Sequence, residues 1–332
     1  MRGRYGRCVN SGPTVRELGE FALIARINRG RVQAPDVLVG PGDDAAVVGA
    51  PSGRFVVTTD MLVQDRHFRL DWSGPGDIGR KAIAQNAADV VAMGAVPTAF
   101  VVALGCPADT PVAFVDELAD GLWAEARRAG GSIAGGDLVR SPLLVLSVTA
   151  FGDPAGREPV LRSGARPGDV VAVAGVPGRS AAGLAAFVAG RADEPEMIDV
   201  VAAHRVPRPP YRAVLDLVAD SGIHALTDVS DGLLADLGHI AELSGVAVDL
   251  DSATLRDPLL DPVAAALGGE PLAWALRGGE DHAFAATFEP NRPLPPGWRA
   301  IGSVGPGHGV TVDGAAWSGS AGWESFSAET GE

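Results

Sequence analysis

The sequence predicts an α+β (mixed α/β) fold built as two halves of similar make-up. Strand-like and helix-like segments follow one another along the 332 residues, and a stretch rich in Gly, Pro and Arg at 152–168 interrupts them near the middle. At ~150 residues per domain, this length allows about two domains. We therefore place a flexible extension at 1–13, an N-terminal domain at 14–152 and a C-terminal domain at 153–332.

The first half begins with a helix that starts after Thr14, because Thr14 and Glu17 have the spacing of a capping box. Apolar residues continue this helix to residue 27, and a glycine turn at 40–42 then leads into a strand that ends at 48. The remaining pattern of the first half predicts strands at 54–60, 99–104, 132–134 and 143–151, and helices at 77–93 and 110–129.

The second half repeats the mixture of strands and helices. A glycine loop at 175–180 precedes a helix at 181–188, and a second helix at 233–243 carries its apolar residues on one face. The strands are predicted at 169–174, 223–226, 246–250, 283–288, 298–304 and 310–312. The longest uncharged stretch contains several Gly and Pro residues, so it indicates a helix end, a turn and a strand rather than a membrane span.

Composition excludes several functional classes. The net charge of −14 disfavours a general binder of nucleic acids or anionic membranes, since both recruit basic surfaces. Lys81 is the single lysine and lies in a Gly-Arg-Lys-Ala context, so neither a P-loop nor the strand lysine of protein kinases is present. The two cysteines, Cys8 and Cys106, cannot build a disulfide framework, which favours a cytoplasmic location.

Carboxylates recur at the ends of predicted elements. They follow glycines, end strands or begin helices, and Asp89 lies inside an otherwise apolar helix. The set comprises Asp43, Asp44, Asp60, Asp89, Asp137, Asp228, Asp231 and Glu280. Taken singly, each also fits a turn, a helix cap or a solvated helix face.

Such carboxylates can share one pocket only if cations lie between them or if their pKa values rise. Two carboxylates ~4 Å apart repel by about 4 kcal/mol at an effective dielectric constant of ~20. Oxygen ligands favour Mg²⁺ over Zn²⁺, and the six dispersed His residues offer no zinc spacing. Because carboxylate-bound Mg²⁺ usually accompanies nucleotide phosphates, the pattern indicates a site for Mg²⁺ and a nucleotide.

Eight short motifs occur in a fixed order between residues 14 and 326. They are GPGDDAA at 40–46, TTDMLV at 58–63 followed by His67-Phe68, NAAD at 86–89 leading to AMGA at 92–95, GGD at 135–137, LRSGA at 161–165, GRSAAGL at 178–184, DVSDGL at 228–233 and GGED at 278–281. Together they resemble the thiamine-monophosphate kinase family, whose superfamily includes aminoimidazole ribonucleotide synthetase and selenophosphate synthetase.

The resemblance implies a two-domain fold in which the sheet of the N-terminal half builds a homodimer interface and the C-terminal half is α/β. It also implies ATP-dependent phosphorylation of thiamine phosphate to thiamine diphosphate, assisted by several Mg²⁺ ions. The second pKa of a phosphate monoester is near ~6, so the attacking oxygen is already ionised at neutral pH and no general base is expected. We therefore expect direct in-line transfer of the γ-phosphate without a phosphorylated enzyme.

The family's functional residues carry over to matching positions of this sequence. The implied metal ligands are Asp43, Thr58, Thr59, Asp60, Asp89, Asp137, Asp228 and Asp231. The implied ATP contacts are Gly136, Asp137, Arg162 and Ser230. The implied contacts to the thiamine end are His67, Glu280 and Trp323.

The sequence departs from the family pattern in three places. Leu138 follows Gly-Gly-Asp where the family commonly has Thr, His282 replaces a Tyr, and residues 1–13 have no counterpart. Three other functions stay open at this point: another ATP-using enzyme of the superfamily, a Mg²⁺-dependent phosphatase, and a non-catalytic protein that binds divalent cations.

Overall fold

The computed structural model describes residues 12–41, 45–217, 222–319 and residue 322. The chain folds into two compact units, Met1–Pro159 and Val160–Glu332. Both units mix helices with strands, which confirms the predicted mixed α/β class. Of the predicted extension at 1–13, only residues 12 and 13 belong to the described part.

The first unit begins with the predicted capping box, in which the Glu17 carboxylate accepts the Thr14 N–H at 2.8 Å and the Thr14 hydroxyl accepts the Glu17 N–H at 3.4 Å. Its elements, in chain order, are α1 (Val15–Leu18), α2 (Glu20–Asn28), β1 (Val37–Val39), β2 (Val47–Val48), β3 (Val56–Val63), α3 (Pro75–Ala92), β4 (Val96–Cys106), α4 (Val112–Ala129), β5 (Ser132–Arg140) and β6 (Val145–Asp153).

Four of these strands form one sheet in the order β3-β6-β4-β5. Strand β6 runs antiparallel to both of its neighbours, whereas β4 and β5 are parallel. Helices α3 and α4 pack against this sheet. Exposure alternates along β3, where Val57, Thr59 and Met61 are exposed and the residues between them are partly covered. The two faces of β3 therefore differ in their access to solvent.

Helices α3 and α4 approach each other at two glycines. A Cβ atom built on Gly79 would meet the carbonyl oxygen of Leu118, and one built on Gly121 would meet the carbonyl oxygen of Gly76. The two backbones therefore pack in direct contact, which fixes the helix that carries Asn86 and Asp89.

The second unit contains β7 (Val170–Ala174), α5 (Arg179–Val188), α6 (Ile198–Arg205), α7 (Tyr211–Leu215), β8 (Ile223–Val229), α8 (Leu233–Ser244), β9 (Ala247–Leu250), α9 (Leu260–Leu267), α10 (Pro271–Arg277), β10 (Ala283–Phe288), β11 (Trp298–Gly305), β12 (Gly309–Val312) and β13 (Ala315–Ala316). A 3₁₀ turn at Arg162–Gly164 precedes β7. The apolar face predicted for α8 is buried in the core, as shown by Leu233, Leu234, Leu237, Ile240 and Ala241.

The seven strands of this unit form one sheet in the order β13-β12-β9-β11-β7-β10-β8. Strand β10 runs antiparallel between β7 and β8, with Phe284 beside Ala174 and Ala283 beside Val229. The ends of β7 and β8 therefore lie next to the start of β10. The loops that follow β7 and β8, and the loop that precedes β10, all leave the sheet at this same end of the strands, which we call this edge of the sheet.

The structure corrects part of the predicted secondary structure. Strand β5 runs on through Gly135, Gly136 and Asp137, whereas the sequence predicts a strand that ends at 134. The reason is tertiary: β5 continues to pair with β4 as far as Cys106, beyond a register shift next to Phe100. Helices α6, α7, α9 and α10 escape prediction because none is longer than eight residues, and packing decides such short helices.

Within the part of the chain that the structure describes, every helix is too short or too polar to cross a lipid bilayer.

The contact between α3 and α4 yields a first prediction. We expect Gly79→Ala to lower the free energy of unfolding by about 1–3 kcal/mol, because the added methyl group forces the two backbones apart. Gly238→Ala in α8 is the matched control, since nothing lies within 4 Å of its added Cβ, and it should raise stability by about 0.5–1 kcal/mol. Urea unfolding measures both changes, and a stabilising Gly79→Ala would contradict the close packing.

Candidate active site

A polar group lies between β3 and α3 in the first unit. The Thr58 hydroxyl donates to the Asp89 carboxylate at 2.9 Å, and the Asp60 N–H donates to the Asn86 side-chain oxygen at 2.9 Å. Asn86 is buried, and its amide nitrogen donates to the Ala82 carbonyl at 2.9 Å. These hydrogen bonds tie Asn86 to both β3 and α3. Two of the predicted ligands, Asp60 and Asp89, are therefore held together from a strand and a helix.

Thr59 belongs to the other face of β3. Its hydroxyl donates to the Val148 carbonyl at 3.0 Å and accepts from the Thr149 hydroxyl at 3.2 Å. Successive side chains of a strand point to opposite faces, so Thr59 cannot follow Thr58 and Asp60 toward α3. The predicted run of three ligands is therefore divided between the two faces of the sheet.

Gly136 and Asp137 lie on β5, an outer strand of the sheet, whereas Asp60 lies on β3 at the other side. Three strand spacings of ~4.8 Å separate the two strands, or about 14 Å within this unit. A side chain on Gly136 would meet the Val102 carbonyl. Asp137 is exposed, and its carboxylate accepts the Leu138 N–H at 2.9 Å. Asp137 is therefore not grouped with Asp60 within this unit.

Two predicted site residues, Asp43 and Trp323, lie outside the described residues, and so does Asp44 of the recurring carboxylates.

His67 lies in a turn after β3 and is partly buried. Its Nδ1 accepts the Val63 N–H at 3.1 Å, so a neutral His67 carries its ring proton on Nε2. The His67 carbonyl accepts from Nζ of Lys81 at 3.1 Å, and Lys81 is buried. The single lysine of the chain thus holds the turn that presents His67.

A second polar group forms at the end of β8 in the second unit. Asp228 is buried in β8, and Asp231 follows in the loop before α8. The Asp236 carboxylate accepts the N–H groups of Asp231 and Gly232, both at 3.1 Å. Burial and the Asp228 carboxylate raise the pKa of Asp231. Burial and the charges of Asp228 and Asp231 raise the pKa of Asp236 to about 7.

The loop from 278 to 282 is bonded to the end of β8. The Glu280 N–H donates to the Ser230 carbonyl at 2.7 Å, and the His282 N–H donates to the Val229 carbonyl at 2.9 Å. Both loop residues have a left-handed backbone, with φ of 63° at Glu280 and 49° at His282. These bonds hold the loop in an uncommon conformation beside Ser230.

Asp281 joins the same loop to the start of α5. Its carboxylate oxygens accept the N–H of Gly178 at 2.6 Å and the N–H of Ser180 at 2.8 Å. These are groups that a helix start leaves without a partner inside the helix. Burial raises the pKa of Asp281 to about 7.

Two histidines contact predicted site residues of this unit. His204 is buried, and its Nδ1 lies 3.1 Å from the Ser180 hydroxyl and 3.7 Å from the Glu280 carboxylate. Nδ1 of His282 lies 3.1 Å from Oδ2 of Asp228, and both of these side chains are buried. Two of the predicted site acids, Glu280 and Asp228, therefore each have a histidine neighbour.

Arg162 supplies positive charge near the acids of this unit. Its Nε donates to the Thr227 hydroxyl at 3.1 Å, and this hydroxyl donates to the Asp228 carbonyl at 3.0 Å. The Arg162 charge also opposes the rise in the pKa of Asp231. Predicted site residues Arg162, Asp228, Ser230, Asp231 and Glu280 are thus brought together at one edge of the seven-stranded sheet.

Residues 42–153 match the N-terminal domain of the AIR synthase related protein family, and residues 166–314 match its C-terminal domain. The chain is 58% identical over 319 residues to the thiamine-monophosphate kinase of Mycobacterium tuberculosis strain H37Rv, covering 95% of this chain and 93% of that relative. The chain belongs to the thiamine-monophosphate kinase family. This membership confirms the resemblance of the motifs.

Other members of the thiamine-monophosphate kinase family support this assignment. The Escherichia coli K12 enzyme is 39% identical over 279 residues, covering 81% of this chain and 82% of that relative. The crystal structure of the Stenotrophomonas maltophilia K279a enzyme matches with a TM-score of 0.80 at 34% identity, over 90% of this chain and 98% of that chain. The structure of AaThiL complexed with AMPPCP and TMP matches with a TM-score of 0.76 at 33% identity, over 96% of this chain and 100% of that chain.

The carboxylates of this kinase-family chain suit a particular kind of metal binding. Among the described residues, no three His, Cys, Asp or Glu side chains are grouped so that they could hold a metal ion. Mg²⁺, however, commonly takes only one or two protein carboxylates and completes its shell with water and phosphate oxygens. The acids of both units fit Mg²⁺ that binds together with a nucleotide, and they do not fit a closed protein metal centre.

One cavity of the first unit is separate from these groups. It has a volume of about 210 Å³ and is lined in part by Val48, Phe55, Thr98 and Phe151. None of the predicted site residues lines it, so its shape gives no support to the site. The grouping of charged residues described above is the better guide to the chemistry.

Asp236, Asp281 and His204 are neighbours of the site that the sequence does not predict. Asp281 lies within the GGED motif, which could have drawn attention to it. Asp236 and His204 carried no such signal, because their partners lie in loops whose conformation depends on the fold.

Asp281 should make stability depend on pH. Its pKa is about 7 in the folded protein and 3.8 in an ordinary setting, so between these values only the folded state keeps the proton. Its stabilising contribution is complete below about pH 4 and is lost as the pH rises to 7. We expect the free energy of unfolding of the wild type, minus that of Asp281→Asn, to fall by up to about 1.4 kcal/mol per pH unit between about pH 4.5 and 6.5.

Urea unfolding across this pH range measures the difference. Asp313→Asn is the control. Hydrogen bonds from Ser252 lower the pKa of Asp313, so the pH dependence that Asp313 gives to stability lies below the pH range tested. If the difference between the wild type and Asp281→Asn does not change with pH, the raised pKa is contradicted.

Proposed function

We propose that the protein transfers the γ-phosphate of ATP to thiamine phosphate, which yields thiamine diphosphate and ADP. The observation that carries this proposal is 58% identity to a thiamine-monophosphate kinase over 95% of the chain. Support also comes from a homologue whose structure was solved in complex with AMPPCP, an ATP analogue, and with TMP.

The reaction needs little acid–base chemistry from the protein. An ionised oxygen of thiamine phosphate attacks the γ-phosphorus, a new P–O bond forms, and the bond from that phosphorus to the β–γ bridging oxygen breaks as ADP leaves. The attacking oxygen carries no proton at neutral pH, so no residue has to remove one. The main obstacle is the repulsion between two anions, and charge neutralisation and alignment are what the site must supply.

We propose Mg²⁺ as the cofactor, bound as several ions by oxygen ligands of the protein. The proposed ligands are Asp43, Thr58, Thr59, Asp60, Asp89, Asp137, Asp228 and Asp231. When bound, Mg²⁺ neutralises phosphate charge and holds the reacting groups in line. The hydrogen bond from Thr58 to Asp89 and the bond from Asp60 to Asn86 support this role in the first unit, because they hold two acids in place before the ion arrives.

The proposed ATP contacts are Gly136, Asp137, Arg162 and Ser230, and the proposed thiamine contacts are His67, Glu280 and Trp323. Arg162 suits a phosphate, since its guanidinium offers several donors and keeps its charge. Nε2 of a neutral His67 is a hydrogen-bond donor, which suits an anionic or carbonyl-like acceptor.

We further propose a cytoplasmic homodimer with an N-terminal domain at 14–152 and a C-terminal domain at 153–332. The four-stranded sheet supports the dimer, because its outer strands carry apolar residues that are about half exposed: Val57 at 53%, Met61 at 53% and Val139 at 51%. A second copy of this sheet would cover such a surface.

The direct test of function uses purified protein, ATP, Mg²⁺ and thiamine phosphate, with chromatography for thiamine diphosphate and ADP. We expect Asp89→Asn to lower kcat by about 100-fold or more, because the substitution removes a negatively charged ligand of the proposed Mg²⁺. Asp77→Asn is the control on the same helix, about 18 Å away. Product formation that needs no ATP would contradict the kinase, and a wild-type rate in Asp89→Asn would remove that residue from the site.

His67 tests the assignment of the thiamine end. We expect His67→Ala to raise KM for thiamine phosphate about tenfold, since one hydrogen bond to this substrate is lost, while KM for ATP changes less than about twofold. Steady-state kinetics with each substrate varied in turn distinguishes the two effects. Equal increases in both KM values would show that His67 does not contact thiamine phosphate.

A further inference from the structure

His282 and Asp228 form a buried pair at the edge of the seven-stranded sheet. Nδ1 of His282 lies 3.1 Å from Oδ2 of Asp228, and the two residues are 5% and 2% exposed. A carboxylate that ligates a metal ion is ionised and can only accept hydrogen bonds, so in that state Nδ1 of the imidazole is the donor of this contact. His282 therefore occupies one of the two oxygens of Asp228.

The position of His282 is set by the sheet. Its N–H donates to the Val229 carbonyl at 2.9 Å, and the next residue, Ala283, pairs with Val229 in the antiparallel ladder of β8 and β10. Its φ of 49° lies in the left-handed region, which His and Asn adopt more readily than most residues. The imidazole is thus aimed at Asp228 by backbone bonds as well as by side-chain packing.

We propose that His282 is a positioning residue that fixes the rotation of the Asp228 carboxylate, so that Oδ1 would be available to ligate the Mg²⁺ proposed to bind with ATP. This inference rests on the proposed function, and it concerns a residue at which this chain departs from the family pattern. Partners of this kind orient a metal ligand, and their loss typically weakens metal binding 10–100-fold.

Three substitutions separate the hydrogen bond from other roles of the side chain. Asn puts an amide nitrogen near the place of Nδ1 and tolerates the left-handed backbone. Gly also tolerates that backbone but has no donor. Gln carries its amide nitrogen one bond further out, where it no longer points at Oδ2. The comparison is therefore among His282→Asn, His282→Gly and His282→Gln.

A second histidine–aspartate pair provides the matched control. Nδ1 of His224 lies 2.9 Å from the Asp169 carboxylate, with Asp169 just before β7 and His224 near the start of β8. Asp169 and His224 thus lie at the starts of β7 and β8, whereas Asp228 lies near the end of β8. His224→Asn should leave the Mg²⁺ dependence of the enzyme unchanged.

Two measurements test the proposal on the full chain. The first is the Mg²⁺ concentration that gives half-maximal formation of thiamine diphosphate, with KM for thiamine phosphate measured beside it. The second is the dissociation constant of Mn²⁺ in the presence of AMPPCP, followed by electron paramagnetic resonance of free Mn²⁺, which requires no turnover.

We expect His282→Gly and His282→Gln to weaken both metal parameters about tenfold or more, with KM for thiamine phosphate within about twofold of wild type. His282→Asn should stay within about threefold of wild type in both metal parameters. A folded Gly or Gln variant with wild-type metal binding overturns the proposal, and so does an Asn variant as impaired as Gly. If circular dichroism shows that His282→Gly does not fold, the comparison of His282→Gln with His282→Asn tests the proposal.

Failure of the proposed function would look different. In that case the wild type makes no thiamine diphosphate at any Mg²⁺ concentration, while Mn²⁺ binding still reports whether His282 positions Asp228.

Discussion

Carboxylates that lie side by side and partly buried repel one another, and the second unit is arranged around this constraint. Two of them ~4 Å apart are destabilised by about 4 kcal/mol at an effective dielectric constant of ~20. The backbone offsets part of this repulsion: Asp236 accepts two N–H groups from the loop before α8, and Asp281 accepts two at the start of α5. Burial still raises the pKa of each of these two acids to about 7. These two acids therefore organise the loops, and the neighbouring charges of Asp228 and Asp231 would favour a cation beside them.

The two units present their functional groups in different ways. In the first unit, Asp60 and Asp89 lie on a strand and a helix, and buried Asn86 ties the two elements together. In the second unit, the groups lie on loops that leave one edge of the sheet, and hydrogen bonds between those loops limit their movement. Both arrangements fix charged side chains before any ligand binds, which is what a reaction governed by alignment and charge requires.

Local periodicity accounts for much of what the sequence could predict. The apolar face of α8 and the strand β10 are encoded by neighbouring residues, so their positions follow from the pattern alone. Asp137 could not be placed this way, because its strand continues only through pairing with β4. Thr58 and Thr59 point to opposite faces because side chains alternate along a strand, although both belong to the one motif from which metal ligands are inferred. Asp281 meets Gly178 and Ser180 across about a hundred residues of sequence, and no local pattern reports such a contact.

The overall charge bears on how substrates reach these groups. The chain carries a net charge of −14, its single lysine is buried against the His67 turn, and the groups described above are mostly acidic. Free ATP and thiamine phosphate are themselves anions, so both would be repelled by such a surface. A nucleotide that arrives with Mg²⁺ brings much less negative charge and supplies the cation that the carboxylates lack. In the proposed mechanism, metal and nucleotide therefore strengthen each other's binding by the same factor, as thermodynamic linkage requires. The acidic residues that repel each substrate alone would then favour the assembled complex.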